Sequence, residues 1–535
     1  MGAGCAILKP LIGQPAAASA TGCTSWNDSP SADIAKLELG TNPSRPPIVM
    51  PPPNAKSVSF EQVPPPPWRQ PRPLWSQLLQ DAAAAQRVKK QIIGGYNELL
   101  RRSSENPMDP TGLLYQTWIH SYYCSSARQG CDLHTTWLFL PWHRAFTYFH
   151  ERILAHTNAI NDPNFRLPVW DWENRLDIPP AYDELKLPCF LTGQYERWFN
   201  DDKTVVDACS QQAWLLSTSF TDFCGNAATN TAIRCQAGPH NAIHTYTVNG
   251  AMSKSITAAA DPLFYAHHAN IDRFWTKWLQ SYSADYYASY KRPSEWLNAG
   301  PMYLYDECRQ LVMFQPHHVL HTKDLGYEYD SLPDISLGIP KQVMIPAQLG
   351  FASAVKATQD LQPFIIASIA RAETTTNPKE IARRVLTLPA AFDKSAFENC
   401  LQNFKGLPVQ ITGTAASHTL QPGKYYVVLI KRGTSRGERV GGFGVFGHLH
   451  DGDAYQVAIT ACLSSQVLHL LFHGSGNLSL VYGAVDPNTG LINTVDQTMI
   501  RFNFTVLIPP DVTEKWKAIE ADVAPLLKEM PLHFL

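Results

Sequence analysis

The sequence predicts two folded domains of different class, a mainly α domain built as a helical bundle and a C-terminal β-sandwich domain. Helix signals dominate the first part: Asp261 and Pro262 are expected to be the N-cap and first position of a helix through DPLFYAHHANIDRFWTKW. From about residue 385 apolar and polar residues alternate between glycine turns, as in YYVVLIKRG and RFNFTVLIPP, which is typical of a β-sandwich. At 535 residues the chain also exceeds the size at which one hydrophobic core keeps growing.

Extended segments are expected around these two domains. Residues 1–70 form a proline-rich arm, in which PPIVMPPP and VPPPPW indicate polyproline-like structure. We expect the α domain over residues 71–335, a linker over 336–384, the β-sandwich over 385–510 and a tail over 511–535. No charged segment followed by an apolar one opens the chain, so a secretory signal is not evident.

Composition argues against two classes of partner. The formal net charge is -2 and no basic stripe is present, so there is no electrostatic case for binding nucleic acid or an anionic membrane. No uninterrupted apolar run is long enough to span a bilayer, and we therefore expect no membrane span. The sequence gives no indication of the oligomeric state.

Three histidines of the predicted α domain form a candidate metal-binding cluster. His134 and His143 are nine residues apart, two and a half helical turns, so one helix would point them in opposite directions. Pro141 is expected near the start of a new helix that carries His143, with His134 in the irregular segment before it. His120 follows the apolar stretch LLYQTWI, which predicts an earlier helix. Imidazoles from three local settings can then point at one ion.

A second cluster is predicted about a hundred residues later. His240 and His244 are four apart, so on a helix their side chains lie on one face, with Cβ atoms about 5 to 6 Å apart. The third ligand must be His267 or His268, which face about 100° apart on the predicted helix. Because His268 shares the apolar face of that helix, we expect it to be the ligand and His267 to line the site.

The donor set favours copper. Imidazole alone, with no thiolate or carboxylate at the six positions, suits copper, zinc or nickel and disfavours magnesium and calcium. Three ligands leave an open position on each ion, whereas a structural zinc site takes four. Asp272 and Asn270 follow the second cluster closely and are expected to orient an imidazole through its other nitrogen. The sequence therefore predicts two copper ions as cofactors.

Seven segments together resemble the plant-type polyphenol oxidases, the tyrosinases and catechol oxidases with a binuclear type 3 copper centre. They are HSYYC, HTTWLFLPWHR, PVWDWE, HNAIH, DPLFYAHHANIDRFW, SEWLNAGPMYLYDE and LGYEYD. The resemblance covers about residues 70–335 closely and about 385–510 loosely. It implies six copper ligands, three on each ion: His120, His134 and His143, then His240, His244 and His268. It also implies a thioether bond between Cys124 and His134.

The resemblance implies oxidation of o-diphenols (catechols) to o-quinones by O2, with small phenols as substrates. In this family an asparagine and a glutamate hold a water near the second copper, and the corresponding residues here are Asn241 and Gln236. Glutamine can hold a water but cannot take a proton from it. We therefore expect diphenol oxidation to dominate and monophenol hydroxylation to be weak. Ser255 replaces the bulky phenylalanine that usually stands over the second copper, which predicts a wider mouth to the site.

Regulation and location are also implied by the resemblance. Tyr327 and Tyr329 correspond to the tyrosine pair that closes the catalytic domain in relatives. The C-terminal domain would cover the copper site and keep the enzyme latent; the alternative is a plain structural or interaction domain. Relatives end in the thylakoid lumen of the plastid, a location that no segment of this sequence indicates by itself.

Several alternatives stay open. A type 3 copper oxygen carrier of the haemocyanin kind uses the same six histidines, and the chain could also be a tyrosinase with strong monophenolase activity or a zinc-loaded binding protein. Cys124 could form a disulfide with Cys131 instead of a thioether. Two further histidine-rich stretches, PHHVLH and HLH, are expected to be structural. The chain has eleven cysteines, and this odd number suits one sulfur being used in a bond other than a disulfide. Only two of them, Cys5 and Cys23, lie in the proline-rich N-terminal arm.

Overall fold

The protein was analysed as a computed structural model, which describes most of the predicted α domain and the strands of the C-terminal domain. The described residues are 48–65, 70–124, 133–187, 197, 199–200, 206, 220–225, 227, 235–281, 294–333 and 446, with the backbone of nine strands between residues 362 and 508. The predictions for residues 1–47, for most of the linker, for the tail and for the HLH stretch lie outside these residues.

Four long helices form the core of the predicted α domain and confirm its helical character. They are α1 (Ala82–Glu105), α2 (Leu113–Cys124), α3 (Phe139–Ala155) and α4 (Leu263–Ser281). Short α-helical segments lie at Trp75–Leu78, Pro180–Asp183, Phe220–Cys224 and Ser294–Leu297. Single 3₁₀ turns lie at Phe60–Gln62, Leu133–Thr135, Gly250–Ser253, Ala258–Ala260 and Pro316–Val319. Two π-helical turns, Gln236–His240 and Ala242–Val248, precede α4.

The burial of the helices follows from their sequences. Helix α1 begins at an Asp81 cap, whose carboxylate accepts from the amides of Ala83 and Ala84, and it buries one face only, through Ile92, Tyr96 and Leu99. Helices α2 and α3 are buried on nearly every side, as expected for apolar helices in the middle of a bundle. The central position of α2 and α3 makes them a rigid support for side chains that must point at one another.

Five short strands tie the N-terminal segment to the end of the α domain. Strand β1 (Ser57–Ser59) pairs in parallel with β4 (Leu311–Phe314), which pairs antiparallel with β3 (Met302–Tyr305). Strand β2 (Gln70–Arg72) pairs in parallel with β5 (Tyr327–Tyr329). The side chain of Arg72 is fully buried, donates to Glu151 at 2.8 Å and lies 3.8 Å from the ring centre of Tyr327. The segment before the helices is therefore part of the folded domain.

Within the described residues, the C-terminal part contains nine strands, in agreement with the predicted strand content. They are β6 (Gln362–Ile369), β7 (Arg384–Leu386), β8 (Val409–Ala416), β9 (Gly423–Lys431), β10 (Gly437–Val445), β11 (Gln456–Leu463), β12 (Leu478–Val485), β13 (Ile492–Thr494) and β14 (Arg501–Ile508). They form one hydrogen-bonded sheet in the order β13-β12-β9-β10-β11-β8-β14-β6, and β7 pairs with β12. The sandwich arrangement itself stays a prediction.

Strand β6 falls within the segment predicted to be a linker. It pairs antiparallel with β14, from Gln362 opposite Ile508 to Ile369 opposite Phe502. Its sequence, QPFIIASI, is a short apolar run of the kind that a sheet can bury. The sheet therefore includes residues before 385. Within the described residues, no helix is both long and apolar enough to cross a membrane.

Candidate metal centre

Two groups of buried side chains could each hold a metal ion. The first contains His120, Cys124, His134 and His143, and the second contains His240, His244, His267 and His268. In each group one ligand atom of every residue lies within 4.8 Å of the others. All seven histidines are at most 2% exposed. The structure thus brings together all the histidines that the sequence singled out as ligands or site-lining residues.

The first cluster is assembled from three separate elements. His120 lies on α2, His134 in the 3₁₀ turn Leu133–Thr135 and His143 on α3. Helix α3 begins at Phe139, so that Pro141 lies in its first turn, as predicted. The turn before it changes the chain direction between His134 and His143, and a single helix could not do this.

Each imidazole of the first cluster is oriented by a backbone carbonyl. The Nδ1 of His120 donates to Ser255 at 2.8 Å, that of His134 to Cys124 at 3.0 Å and that of His143 to Phe139 at 2.8 Å. A neutral imidazole that carries its proton on Nδ1 has a lone pair on Nε2. Carbonyl bonds of this kind fix the tautomer of metal-bound histidines. The three rings therefore offer three Nε2 lone pairs to one ion.

The second cluster combines π-helical turns with α4. His240 ends the first π turn and His244 lies in the second, which corrects the expectation of a regular α-helix there. The wider turn still brings residues four apart to one side, and the two ring centres are 4.3 Å apart. Turns of this type are frequent at functional sites because they re-aim side chains within a helix. His244 Nδ1 donates to the carbonyl of Met252 at 2.7 Å.

Hydrogen bonding distinguishes the two neighbours on α4. The indole N–H of Trp172 donates to Nδ1 of His267 at 3.2 Å, so in the neutral ring the proton of His267 is on Nε2. That tautomer has no lone pair left for a metal. His268, by contrast, has Nε2 at 3.2 Å from Nε2 of His244, and its Nδ1 has no hydrogen-bond partner. The geometry favours His268 over His267 as a ligand.

The two clusters lie against each other. The rings of His143 and His268 are stacked with centres 4.4 Å apart and an angle of 13° between their planes. The rings of His134 and His240 are 5.5 Å apart. Each pair contains one histidine of each cluster, so two ions held there would be close neighbours.

Burial favours the neutral, metal-binding form of these rings. It holds the pKa of His143, His240, His244 and His268 well below the usual value of 6.5, and neighbouring imidazoles lower it further. The pKa of His267 is lowered to about 3 by burial, an effect that the backbone of His240 partly offsets. Uncharged imidazoles in an apolar interior match the chemistry of soft and borderline metal ions.

The asparagine and glutamine predicted to hold a water lie beside His240. Asn241 Oδ1 accepts from Nδ1 of His240 at 3.0 Å and from Nε2 of Gln236 at 3.2 Å. Both side chains are buried. Asn241 therefore orients His240 in the way that a backbone carbonyl orients His120, His134, His143 and His244, and Gln236 contacts Asn241 directly.

Asp272 and Asn270 do not orient an imidazole, contrary to the prediction. Asp272 accepts from Arg144 and from the hydroxyls of Tyr327, at 2.6 Å, and Tyr329. Asn270 donates to Glu173 at 2.7 Å. Donors from outside the helix bond to Asp272, and a carboxylate from outside the helix accepts from Asn270. A pattern of residues along α4 cannot show such partners in advance.

The sulfur of Cys124 is buried and lies within 4.8 Å of a ring nitrogen of His134, and the thioether between them stays a prediction. The alternative pairing with Cys131 lies outside the described residues. The Cys124 sulfur also lies 3.9 Å from Nε2 of His143, and the carbonyl of Cys124 holds His134. Cys308 is disulfide-bonded.

Apolar rings enclose the two clusters, and one of them comes from the C-terminal domain. Phe264 lies 4.0 Å from His268 and 4.8 Å from His120, centre to centre. Phe446, which directly follows β10, lies 5.1 Å from His134, 5.4 Å from His240 and 4.5 Å from His244. It is 2% exposed. Sequence analysis missed Phe446 because nothing in GGFGVFGHLH relates it to histidines two hundred residues earlier.

Ser255 lies behind the first cluster. It is fully buried, and its carbonyl accepts from His120. The predicted wider mouth of the site is not tested by this contact and stays a prediction.

A third group, Glu61, His317 and His318, is more exposed and suits a metal poorly. The backbone amide of Gln315 donates to Nδ1 of His318 at 2.9 Å, so its Nε2 carries the proton and donates to Glu61 at 2.5 Å. A metal at Nε2 would have to displace that proton. The structural role predicted for PHHVLH agrees with these contacts.

Comparisons with known proteins agree with this geometry. Residues 110–187 and 188–281 match the common central domain of tyrosinase. Polyphenol oxidase E, chloroplastic, of Solanum lycopersicum is 29% identical over 276 residues, 44% of this chain and 45% of that protein. Polyphenol oxidase II, chloroplastic, of Ipomoea batatas is 30% identical over 291 residues, 46% of this chain and 49% of that protein. The chain thus spans about half the length of these relatives.

A solved structure extends the similarity to the fold. Recombinantly expressed latent aurone synthase (polyphenol oxidase) matches 86% of this chain and 93% of its own, with a TM-score of 0.50 at 19% sequence identity. At this identity the likeness concerns the fold alone.

Proposed function

We propose that this chain is a polyphenol oxidase that oxidises catechols to o-quinones with O2, because residues 110–281 match the common central domain of tyrosinase, a family whose members bind two copper ions. The resemblance of the sequence to plant-type polyphenol oxidases is confirmed by these comparisons. The two buried histidine clusters fit two copper ions. In the proposed assignment His120, His134 and His143 hold the first ion, and His240, His244 and His268 hold the second.

One observation carries the proposal: two buried histidine triads are in ring contact with each other through His143 and His268. Two independent structural metal sites would not need ligand rings that stack on each other. Copper ions bound there would supply the electron transfer between a catechol and O2. The protein supplies the positions of the ligands, the tautomer of five of the six proposed ligand rings and an apolar enclosure, in which Phe264 packs against both clusters.

The finer substrate preference rests on Gln236. Its amide donates to Asn241, and it has no carboxylate to accept a proton from a monophenol through a water. We infer that diphenol oxidation dominates. The conversion of a monophenol, which must first lose its proton, is expected to be weak.

We also infer that the C-terminal domain makes the enzyme latent. Phe446 contacts histidines of both clusters, so a phenol ring and Phe446 would compete for the same apolar space. Removal of the domain by cleavage within residues 340–384 is expected to raise activity. The chloroplastic names of the plant relatives support a plastid location for this chain.

Metal analysis and quinone formation test the main proposal. The purified chain should contain two copper ions and should form quinone from 4-methylcatechol with uptake of O2. His268→Ala should lose one copper ion, whereas His156→Ala, which changes an exposed histidine, should keep both. Zinc in place of copper would favour the binding protein. Two copper ions with reversible O2 binding and no quinone would favour an oxygen carrier.

A further inference from the structure

His267 is a buried imidazole that the copper assignment leaves without a role. It is fully buried, and one of its ring nitrogens lies within 4.8 Å of a ligand nitrogen of His240, His244 and His268. Its ring centre is 4.8 Å from that of His244. A buried polar ring against the ligands of the second cluster costs free energy unless its polar atoms have partners.

One of its two nitrogens is committed. Trp172, itself fully buried, donates to Nδ1 at 3.2 Å, and an indole N–H can only donate. The Nδ1 atom must therefore carry the lone pair, and the neutral ring must carry its proton on Nε2. The other five oriented histidines of the two clusters have the opposite tautomer, because Nδ1 of each donates to a carbonyl or amide oxygen.

The Nε2–H of His267 is the donor left over. It is buried and makes no hydrogen bond of good geometry, although the backbone of His240 lies close enough to act as a hydrogen-bond acceptor for the ring. A polar group that stays unsatisfied in the protein alone is often satisfied by a ligand. A fixed N–H beside a metal site stabilises negative charge on an atom bound there, as preorganised donors do in oxyanion holes.

We propose that His267 is a hydrogen-bond donor of the second copper site, held in its Nε2–H tautomer by Trp172, and that it binds the anionic oxygen of an ionised phenol. This inference rests on the proposed function and adds a residue to it. His267 does not bind the metal. It binds the substrate oxygen and thereby favours the ionised phenol over the neutral one.

Fluoride binding to the copper-loaded full chain tests the proposal without relying on turnover. Fluoride is a small anion that accepts hydrogen bonds and binds to open positions on Cu(II), and its dissociation constant can be measured from the visible spectrum. His267→Phe keeps a ring but removes the donor, and we expect it to weaken fluoride binding by about tenfold or more, as for the loss of one hydrogen bond to a charged group. His267→Gln offers an amide N–H and should bind fluoride within about threefold of the wild type.

Two further variants keep the test decisive. Trp172→Phe leaves the imidazole but removes the donor that fixes its tautomer, so fluoride binding should weaken by a smaller factor. His150→Phe is the matched control: His150 is also a fully buried histidine with an unpartnered ring nitrogen, but it is not part of either cluster. It should leave fluoride binding unchanged. Thermal unfolding of each variant establishes that it is folded.

Copper content separates this inference from the proposed function. If the wild type does not hold two copper ions, the proposed function fails. If wild type, His267→Phe and His267→Gln all hold two and bind fluoride equally, the role of His267 is wrong while the oxidase assignment stands. Loss of one copper ion in His267→Phe would show that His267 is a ligand, which also overturns the inference. Should His267→Phe not fold, unchanged fluoride binding in Trp172→Phe would overturn it.

Discussion

The ring of Phe446 lies 4.5 Å from the ring of His244, centre to centre, although the two residues belong to different predicted domains. The same phenylalanine contacts His134 of the first cluster. A single side chain thus links the C-terminal sheet to both proposed copper sites. Phe446 is 2% exposed, so its side chain is closely packed where it contacts these histidines.

Phe446→Ala is expected to activate the uncleaved chain. Burying a phenylalanine contributes about 1.5 to 3 kcal/mol, which corresponds to a change of about 10- to 100-fold in the population of an open site. We expect kcat/KM for 4-methylcatechol to rise within that range. The control is Phe199→Ala, which removes an exposed phenylalanine and should leave activity unchanged. Equal activity in all three proteins would argue that the C-terminal domain has a structural role only.

Gln236→Glu is expected to increase monophenol hydroxylation relative to catechol oxidation. A glutamate can accept a proton through a water, which the present amide cannot do. The ratio of tyramine to catechol turnover should rise by about tenfold or more, the lower end of what a positioned general base contributes. Gln236→Leu serves as the control, since it removes the contact to Asn241 without adding a base. An unchanged ratio in Gln236→Glu would refute the role of this position.

The local sequence predicted which histidines come together, because each lies in a segment with its own helix and turn signals. Pro141 alone was enough to separate His134 from His143. The contacts made across the fold could not be predicted in this way. Two such contacts are the hydrogen bond from Trp172 to His267 and the ion pair between Arg144 and Asp272. Each joins residues about a hundred positions apart, and no sequence periodicity encodes it. The π-helical turns were missed because their side-chain spacing resembles that of an α-helix.

Cys124→Ser tests the predicted thioether. In the wild type, a peptide that joins Cys124 to His134 should be lighter than the two separate peptides by two hydrogen atoms, because the sulfur replaces one ring hydrogen and loses its own. Mass spectrometry of the digested, copper-loaded protein measures this. Cys124→Ser should lack the cross-linked peptide, whereas Cys235→Ser, which changes another buried thiol, should keep it. Two unmodified peptides in the wild type would show that the thioether does not form.

Asp272→Ala is expected to destabilise the α domain strongly. The carboxylate accepts from Arg144 and from Tyr327 and Tyr329, and it lies 3.4 Å from Arg72. Its removal leaves the buried guanidinium of Arg144 without a counter-charge, which costs about 3 to 5 kcal/mol. Urea denaturation measures the loss. Asp324→Ala changes an exposed aspartate and should alter stability by less than about 0.5 kcal/mol. A similar small effect in both variants would contradict the role of Asp272.

Asp306 should make the stability of the protein depend on pH. Burial, together with the nearby charge of Glu307, raises the pKa of Asp306 from 3.8 to about 6. The folded state therefore binds a proton between these two values that the unfolded state has released, so this group stabilises the fold below pH 3.8 and loses that contribution as the pH rises to about 6. The loss is at most about 3 kcal/mol.

Asp306→Asn removes the titration while keeping an oxygen that can accept from the amides of Cys308 and Gln310. Between pH 4.5 and 7 the free energy of unfolding of the variant should therefore fall less, or rise more, than that of the wild type. Urea denaturation across this range measures the difference. Asp324→Asn provides the exposed control and should follow the wild-type curve. Parallel curves for wild type and Asp306→Asn would mean that Asp306 is ionised in the folded protein throughout, with its charge compensated by the two amides and by Arg152.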